Sequence, residues 1–144
     1  MCIRDRNISL GCDHAGVEYK TKIIEFLEEL GHKTLDVGTH GEESVDYPDY
    51  AHKVAEEVLV GADFGILICG SGNGVSMAAN KHKGIRAALC WNEEITKLAR
   101  QHNNANIISI PARFMSLEKS KKIIKIFLKE GFEGGRHERR VKKI

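Results

Sequence analysis

Short apolar runs alternate along the chain with longer segments in which apolar residues recur at helical spacing. Five runs have the length and composition of strands: 8–12, 33–37, 64–69, 86–90 and 107–110. Five segments have helical spacing: 17–30, 48–59, 73–81, 92–103 and 116–130. Pro48 opens one helix, Ser116 caps another and Gly31 follows the end of a third. The alternation predicts an α/β fold: a single three-layer αβα domain with a five-stranded parallel, Rossmann-like sheet and a C-terminal helical tail.

Composition narrows the class of protein without identifying it. The 144 residues fit one domain, and 42% hydrophobic with 29% charged residues is ordinary for a globular protein. A net charge of +2 gives no reason to expect nucleic-acid binding. No apolar stretch approaches the roughly 20 residues of a membrane helix, and the start lacks a secretory signal, so we expect a cytosolic protein. Residues 1–6 carry no strand or helix pattern, which predicts a disordered or non-native extension before a domain at 7–144.

The most informative stretch is an apolar run that breaks into a glycine loop at Cys69, reading CGSGNG over 69–74. Such a loop frees backbone N–H groups to face an anion, and the helix predicted after it would direct its positive end to the same place. Both features favour thiolate over thiol, so the sequence predicts an activated Cys69. The combination points to chemistry on a small phosphorylated or oxyanionic substrate.

The other cysteines show no site of their own. Cys2, Cys12, Cys69 and Cys90 lack the spacings of zinc sites, and a cytosolic location argues against disulfides. Cys90 closes an apolar run and is expected to be buried. A zinc site made from Cys12, His14, Cys69 and His102 is conceivable, but no spacing supports it.

Three further positions have both a functional and a purely structural interpretation. Asp13-His14 follows the first strand and could hold a substrate, or Asp13 could cap the next turn beside a surface histidine. His102 could be an acid/base group at a helix end or a histidine at the edge of the core, and the neighbouring Asn103 could bind a hydroxyl or end the helix. Arg136 and Arg140 would share one helix face and suit a phosphate, or belong to a solvated basic tail.

Together these motifs resemble ribose-5-phosphate isomerase type B, within the sugar-phosphate isomerase family that includes the galactose-6-phosphate isomerase subunits. Matching segments occur in the family's order over about residues 7–140: GCDHAG at 11–16, DYP at 46–48, CGSGNG at 69–74, AANK at 78–81, GIRA at 84–87, ARQHN at 99–103 and GGRH at 134–137. Each segment is weak alone, but the ordered set is specific. The first six residues depart from the family's very short start.

The resemblance implies the catalytic roles. Cys69 corresponds to the base that moves a proton between C1 and C2 of the open-chain sugar. Some members carry a glutamate after the glycine loop, where this chain has Val75, so it resembles the cysteine type. Ser71 and the loop amides would hold the enediolate oxygens, and His102 would open the sugar ring while Asp13 holds the ring oxygen or hydroxyls.

The resemblance also implies how substrate is bound. Its contacts would be Asp13, His14, Tyr47, Gly70, Ser71, Gly72, Asn73, Gly74, Asn103, Arg113, Arg136 and Arg140, of which His14 and the three arginines would hold the phosphate. It implies no cofactor and no metal. It further implies a homodimer, compatible with a tetramer, in which His102 and the tail arginines serve the partner's site.

Three functions follow as hypotheses. The preferred one is a cofactor-independent aldose–ketose isomerase that interconverts ribose 5-phosphate and ribulose 5-phosphate. The second is the same chemistry on a hexose 6-phosphate such as galactose or allose 6-phosphate. The third is a non-catalytic sugar-phosphate or nucleotide-binding module, against which stand the missing G-x-G-x-x-G spacing and the missing Lys-Ser/Thr loop ending.

Overall fold

Five parallel strands form the centre of the protein, in the order β2-β1-β3-β5-β4. The computed structural model describes residues 5–41 and 43–144. The strands are β1 (Asn7–Cys12), β2 (Lys33–Asp36), β3 (Phe64–Cys69), β4 (Ala87–Leu89) and β5 (Ile107–Pro111). The helices are α1 (Val17–Glu29), α2 (Tyr47–Val60), α3 (Asn73–Ala79), α4 (Glu93–Gln101), α5 (Leu117–Lys129) and α6 (Arg136–Val141). The α/β fold with an all-parallel five-stranded sheet, predicted from the alternating pattern, is confirmed.

Helices cover both faces of the sheet, and the alternation of side chains along the strands explains why. In β3, Ile66 and Ile68 belong to a core beneath α1 and α5, whereas Leu67 and Cys69 belong to a second core beneath α2 and α3. All six residues of β3 are buried, as expected for the central strand of a parallel sheet. Cys69 therefore ends its strand on the side of the sheet that α2 and α3 cover.

The helices begin where the sequence predicts and differ from the prediction by only a few residues at their ends. Ser116 Oγ accepts a hydrogen bond from Lys119 N at 3.1 Å and caps α5. Helix α3 ends at Ala79 rather than at 81, because the chain turns there and Asn80 binds the backbone of Ala87 through both polar side-chain atoms. The tail is helical from Arg136. No helix in the described part of the chain is long and apolar enough to cross a membrane.

The first residues are described only from Asp5 onward, so 1–4 of the predicted 1–6 extension lie outside the described residues. Arg6 N donates a hydrogen bond to His32 Nδ1 at 3.1 Å, and Lys33 N donates to Arg6 O at 2.9 Å. Where the native domain begins stays a prediction.

The order of the strands creates one crevice. After β1 the chain adds β2 on one side and β3 on the other, so the crossover helices leave the sheet in opposite directions between β1 and β3. In open parallel sheets, ligands bind at the carboxyl ends of the strands on either side of such a switch point. Cys12 ends β1 and Cys69 ends β3. The crevice therefore lies beside Asp13 and the glycine loop.

Candidate active site

Asp13 and Cys69 meet at the carboxyl ends of β1 and β3. One carboxylate oxygen of Asp13, Oδ1, accepts a hydrogen bond from Ala15 N at 2.9 Å and caps the short 3-10 turn at His14–Gly16. The other, Oδ2, accepts a hydrogen bond from the Cys69 thiol at 3.3 Å. The capping and functional interpretations of Asp13 are thus compatible, because each uses a different oxygen. Both residues are more than nine-tenths buried within one chain.

The protonation of Cys69 corrects an expectation from the sequence. Burial raises the pKa of the Cys69 thiol, and Asp13 raises it further by accepting the thiol's hydrogen bond and by its negative charge. Backbone N–H groups of Gly72 and Gly70 act in the opposite direction but do not prevail. The prediction of a thiolate favoured by the loop was therefore wrong for the free chain, because it took no account of the carboxylate across the crevice.

The glycine loop is shaped by close packing on both of its sides. Gly72 has φ +78°, a left-handed conformation that lets the chain turn from β3 into α3. Arg113 lies against Gly70, where a methyl group would be 3.2 Å from the guanidinium. The Tyr47 ring lies against Gly74, where a methyl group would be 2.7 Å from the hydroxyl oxygen. These contacts place an arginine and a phenol at the rim of the loop.

Polar groups of the loop and crevice remain available to a ligand. Ser71 is exposed, and its Oγ accepts a hydrogen bond from Asn73 N at 3.3 Å. His14 Nδ1 is buried and has no hydrogen-bond partner among the described residues. Arg113 is exposed beside them. Because buried polar atoms are normally paired, the His14 ring is placed to bind a polar ligand or water.

His102 belongs to a second cluster, at the end of α4. Its Nε2 lies 3.6 Å from Glu133 Oε1, and His137 Nε2 lies 3.7 Å from the same oxygen. The two imidazole rings are stacked, with centroids 4.0 Å apart and planes 11° from parallel. Partial burial and the positive charge of His102 and Arg136 lower the pKa of His137. His102 thus follows the last residue of α4, and its acid/base role stays a prediction.

Arg136 and Arg140 lie near this second cluster. Both belong to α6, four residues apart and exposed, so the predicted shared helix face is confirmed. Asn103 follows His102 and is exposed, while its carbonyl oxygen accepts a hydrogen bond from Arg86 Nε at 3.1 Å. The second cluster therefore combines imidazoles, a carboxylate and free guanidinium groups.

The two clusters lie at opposite ends of the sheet. Helix α4 leads into the amino end of β5, which begins at Ile107, whereas Cys69 pairs with Pro111 at the carboxyl end of that strand. Five residues of strand span about 16 Å. Glu133 N donates a hydrogen bond to Gln101 O at 3.0 Å, which ties the tail to the same end as His102. A small substrate on Cys69 is therefore out of reach of His102 in the same chain.

Some residues of functional interest were not predicted. Lys20 is almost fully buried, and its Nζ donates hydrogen bonds to Asp36 Oδ1 at 2.5 Å and to Thr39 O at 2.6 Å. Asp36 Oδ1 also accepts from Gly38 N at 2.9 Å, so the pair holds the loop beside Cys12. A lysine among helical charges gives no sign of this burial. Glu133 was likewise unmarked, since an isolated surface glutamate carries no pattern.

The zinc set considered from the sequence is not supported. Among the described residues, the metal-ligating side chains that converge in a group of three or more are His102, Glu133 and His137. Cys12 and Cys90 are fully buried, and burial raises the pKa of each thiol to about 11. The expectation that Cys90 is a core residue is confirmed.

Comparison with known proteins shows which family the chain belongs to. The chain matches the Ribose/Galactose Isomerase family over residues 8–144. It belongs to that family. It is 45% identical over 140 residues to ribose-5-phosphate isomerase B of Escherichia coli, covering 96% of this chain and 94% of the relative.

Solved structures agree with the fold and its extent. A ribose 5-phosphate isomerase from Thermotoga maritima superposes with a TM-score of 0.95 at 50% identity, covering 97% of each chain. The Mycoplasma genitalium ribose-5-phosphate isomerase B, solved with bound ribulose 5-phosphate, superposes with a TM-score of 0.91 at 46% identity, covering 95% of this chain and 92% of that one. The chain is an isomerase with the family's three-layer α/β fold, and a non-catalytic binding module no longer accounts for it.

Proposed function

We propose that the protein is a cofactor-independent isomerase that interconverts D-ribose 5-phosphate and D-ribulose 5-phosphate through an enediolate, as a cytoplasmic enzyme of the pentose phosphate pathway. The contact between Cys69 and Asp13 beside the glycine loop carries the proposal, because it sets an acid/base pair next to amide donors. The relatives named ribose-5-phosphate isomerase B support the choice of substrate.

Proton transfer begins with Cys69, which must first lose its own proton. Asp13 Oδ2, 3.3 Å away, is the nearest acceptor. The resulting thiolate takes the proton from C2 of the open-chain aldose, and the C–H electron pair forms the C1–C2 double bond as charge moves to O1. The proton of the O2 hydroxyl then passes to O1, so that the negative charge moves to O2. The sulfur returns its proton to C1, which gives the ketose.

Stabilisation of the enediolate is assigned to the glycine loop. Ser71 and the backbone N–H groups of Gly70, Gly72, Asn73 and Gly74 would donate hydrogen bonds to the charged oxygens as these form. Removing one such donor typically costs roughly 2.7–4 kcal/mol of barrier. The loop would thus lower the activation barrier to removal of the C2 proton without a bound cation.

The remaining roles follow from the position of each group. His14, whose Nδ1 has no hydrogen-bond partner among the described residues, holds the substrate's phosphate together with Arg113 and with Arg136 and Arg140 of a second chain. Tyr47 contacts a sugar hydroxyl, and Asn103 of the second chain contacts another. His102 of the second chain gives a proton to the ring oxygen, the bond from C1 to that oxygen breaks, and the C1 hydroxyl loses its proton to solvent as the aldehyde forms, while Asp13 accepts a hydrogen bond from a sugar hydroxyl. The separation of the two clusters within one chain supports this homodimer, and pairs of dimers are a further possibility to be tested by mass.

The deciding experiment measures kcat/KM for ribose 5-phosphate, galactose 6-phosphate and allose 6-phosphate, with Cys69→Ala beside the wild type. We expect the highest kcat/KM with the pentose, and a Cys69→Ala protein that binds this substrate without turnover. Cys90→Ala, which removes a buried thiol from the core on the opposite face of the sheet from Cys69, is the matched control and should keep its activity. A clear hexose preference, or normal turnover by Cys69→Ala, would contradict the proposal.

A further inference from the structure

We propose that His102, Glu133 and His137 form a binding site for a zinc-like transition-metal ion, and that the ion inhibits the enzyme by occupying His102. The binding part stands on the geometry of this cluster alone. The inhibitory part rests on the proposed role of His102 in ring opening.

The spacing of the three side chains is that of metal ligands rather than of a hydrogen-bonded network. Glu133 Oε1 lies 3.6 Å from His102 Nε2 and 3.7 Å from His137 Nε2. These distances are too long for hydrogen bonds, which fall near 2.7–3.2 Å. Ligand atoms bound at about 2.0–2.1 Å to a tetrahedral zinc ion are roughly 3.3 Å from one another. The two distances to Glu133 Oε1 lie within a few tenths of an ångström of that value, and rotation of the imidazole rings out of their stack would turn both Nε2 lone pairs toward one ion.

All three ligands stand on backbone that is already held in place. His102 N donates to Leu98 O at 2.9 Å, Glu133 N donates to Gln101 O at 3.0 Å, and His137 N donates to Gly134 O at 3.0 Å. Both Nε2 atoms lie near the same carboxylate oxygen, while the stacked rings keep their in-plane lone pairs nearly parallel. The three ligand atoms all lie within 4.8 Å of one another. Binding therefore requires rotation of the side chains but little ordering of the backbone.

The chemistry of the donors selects the class of ion. Two imidazoles and one carboxylate suit Zn²⁺, Cu²⁺, Ni²⁺ or Co²⁺, whereas Mg²⁺ and Ca²⁺ prefer oxygen ligands. Arg136 and Arg140 on the adjacent helix carry positive charge, which disfavours ions held mainly by electrostatic attraction. Three protein ligands leave a fourth position open to water or to a substrate oxygen.

Occupation of the site removes the lone pair of His102 Nε2 from acid/base work. A bound ion would therefore slow ring opening even though it is not part of the catalytic cycle. Substrate phosphate would approach the same helix through Arg136 and Arg140. A higher concentration of the metal ion would thus lower the rate of isomerisation through this site.

The test measures Zn²⁺ binding to metal-free protein by calorimetry, with Co²⁺ absorption spectra to report tetrahedral coordination. We expect one ion per chain, and a loss of affinity of at least about tenfold in both Glu133→Gln and His137→Gln. Glu133 is half-exposed, and its substitution by glutamine leaves the backbone bond to Gln101 in place.

Two control variants exclude other binding sites. Cys69→Ala removes the thiol in the crevice, and His82→Gln removes the half-buried pair in which His52 Nδ1 and His82 Nε2 lie 2.7 Å apart. Both should bind Zn²⁺ as the wild type does. Loss of binding in either control, or unchanged affinity in Glu133→Gln, would overturn the site.

Turnover is measured separately. In the wild type, Zn²⁺ should inhibit ribose 5-phosphate isomerisation with a midpoint equal to its binding midpoint, and a chelator should restore the rate. Glu133→Gln should shift both midpoints by the same factor. Full activity with the site saturated would overturn the inhibitory part. If the protein fails to isomerise the pentose at all, the proposed function fails, while calorimetry still decides the metal site.

Discussion

Sγ of Cys69 and Oδ2 of Asp13 lie 3.3 Å apart, although 56 residues separate them in the chain. Parallel pairing brings them together, because Cys12 and Ile68 are register partners in β1 and β3 and each of the two residues follows one of these partners. The thiol donates its proton toward a carboxylate, so sulfur and oxygen cannot both be charged without mutual repulsion. The proposed base is therefore a thiol in the free chain, and it must transfer its proton to the carboxylate before it can act.

Replacing Asp13 by asparagine should make Cys69 more reactive and the enzyme less active. Removal of the negative charge and of the hydrogen-bond acceptor lowers the pKa of Cys69. Alkylation by iodoacetamide speeds up as the thiol loses its proton. In the variant this increase should therefore occur at a lower pH than in the wild type. Turnover should fall, because the nearest proton acceptor and sugar ligand are lost.

Asp49→Asn is the charge-matched control for this experiment, since Asp49 is exposed on α2. Its alkylation profile should overlay that of the wild type. The alkylation rate of Cys69→Ala gives the background that comes from the other cysteines. An Asp13→Asn profile that moves to higher pH would show that the carboxylate does not disfavour the thiolate.

Gly74→Ala should raise KM through Tyr47. The new methyl group would lie 2.7 Å from the Tyr47 hydroxyl oxygen and as close to the ring, so the phenol has to move from the loop. We expect KM for ribose 5-phosphate to rise about tenfold, the loss of one ordinary polar contact. In a Tyr47→Ala background the same substitution should have little further effect.

Gly131→Ala tests whether any glycine substitution has this result, because a methyl group there meets no atom within 4 Å. Its KM should be unchanged. Equal and additive effects of Gly74→Ala with and without Tyr47 would mean that the two residues do not act together.

The buried ion pair predicts a stability effect. In Lys20→Met, Asp36 loses its partner and Thr39 O loses a donor, while the buried volume is kept. We expect the free energy of unfolding to fall by about 2–3 kcal/mol, since Asp36 is still partly reached by water. Urea unfolding measures this value.

Lys22→Met on the same helix is the control for Lys20→Met. Lys22 is half-exposed and reaches Glu25 only at 4.0 Å, so its substitution should change stability by less than about 0.5 kcal/mol. A similar loss in both variants would show that removal of positive charge from α1, rather than the buried pair, is responsible.

The sequence predicted features that depend on periodicity and missed those that depend on long-range contacts. The six buried residues of β3 are a continuous apolar run, and Ser116 is a cap that acts within one turn, so both could be read locally. The protonation of Cys69 depends on Asp13, which only the sheet register brings near. Lys20 is the clearest miss, because a charged residue in an amphipathic helix is normally on its exposed face.

The separation of Cys69 from His102 predicts that two inactive variants restore each other's activity. Cys69→Ala damages the carboxyl end of the sheet, and His102→Asn damages the amino end. If each active site takes Cys69 from one chain and His102 from another, a mixed dimer contains one site with both original residues and one site with neither. Random pairing of equal amounts should then recover about a quarter of the wild-type activity per active site.

The mixture is made by co-expression or by refolding the two variants together, and each variant refolded alone gives the baseline. A double variant that carries both substitutions, mixed with an equal amount of wild type, should also give about a quarter of the wild-type activity per active site, because each site of a mixed dimer then contains one substituted residue. Activity that stays at baseline in the mixture, with mixed dimers detected by mass, would mean that Cys69 and His102 serve the substrate from one chain. The roughly 16 Å of strand between the two clusters makes that outcome incompatible with the arrangement of this sheet.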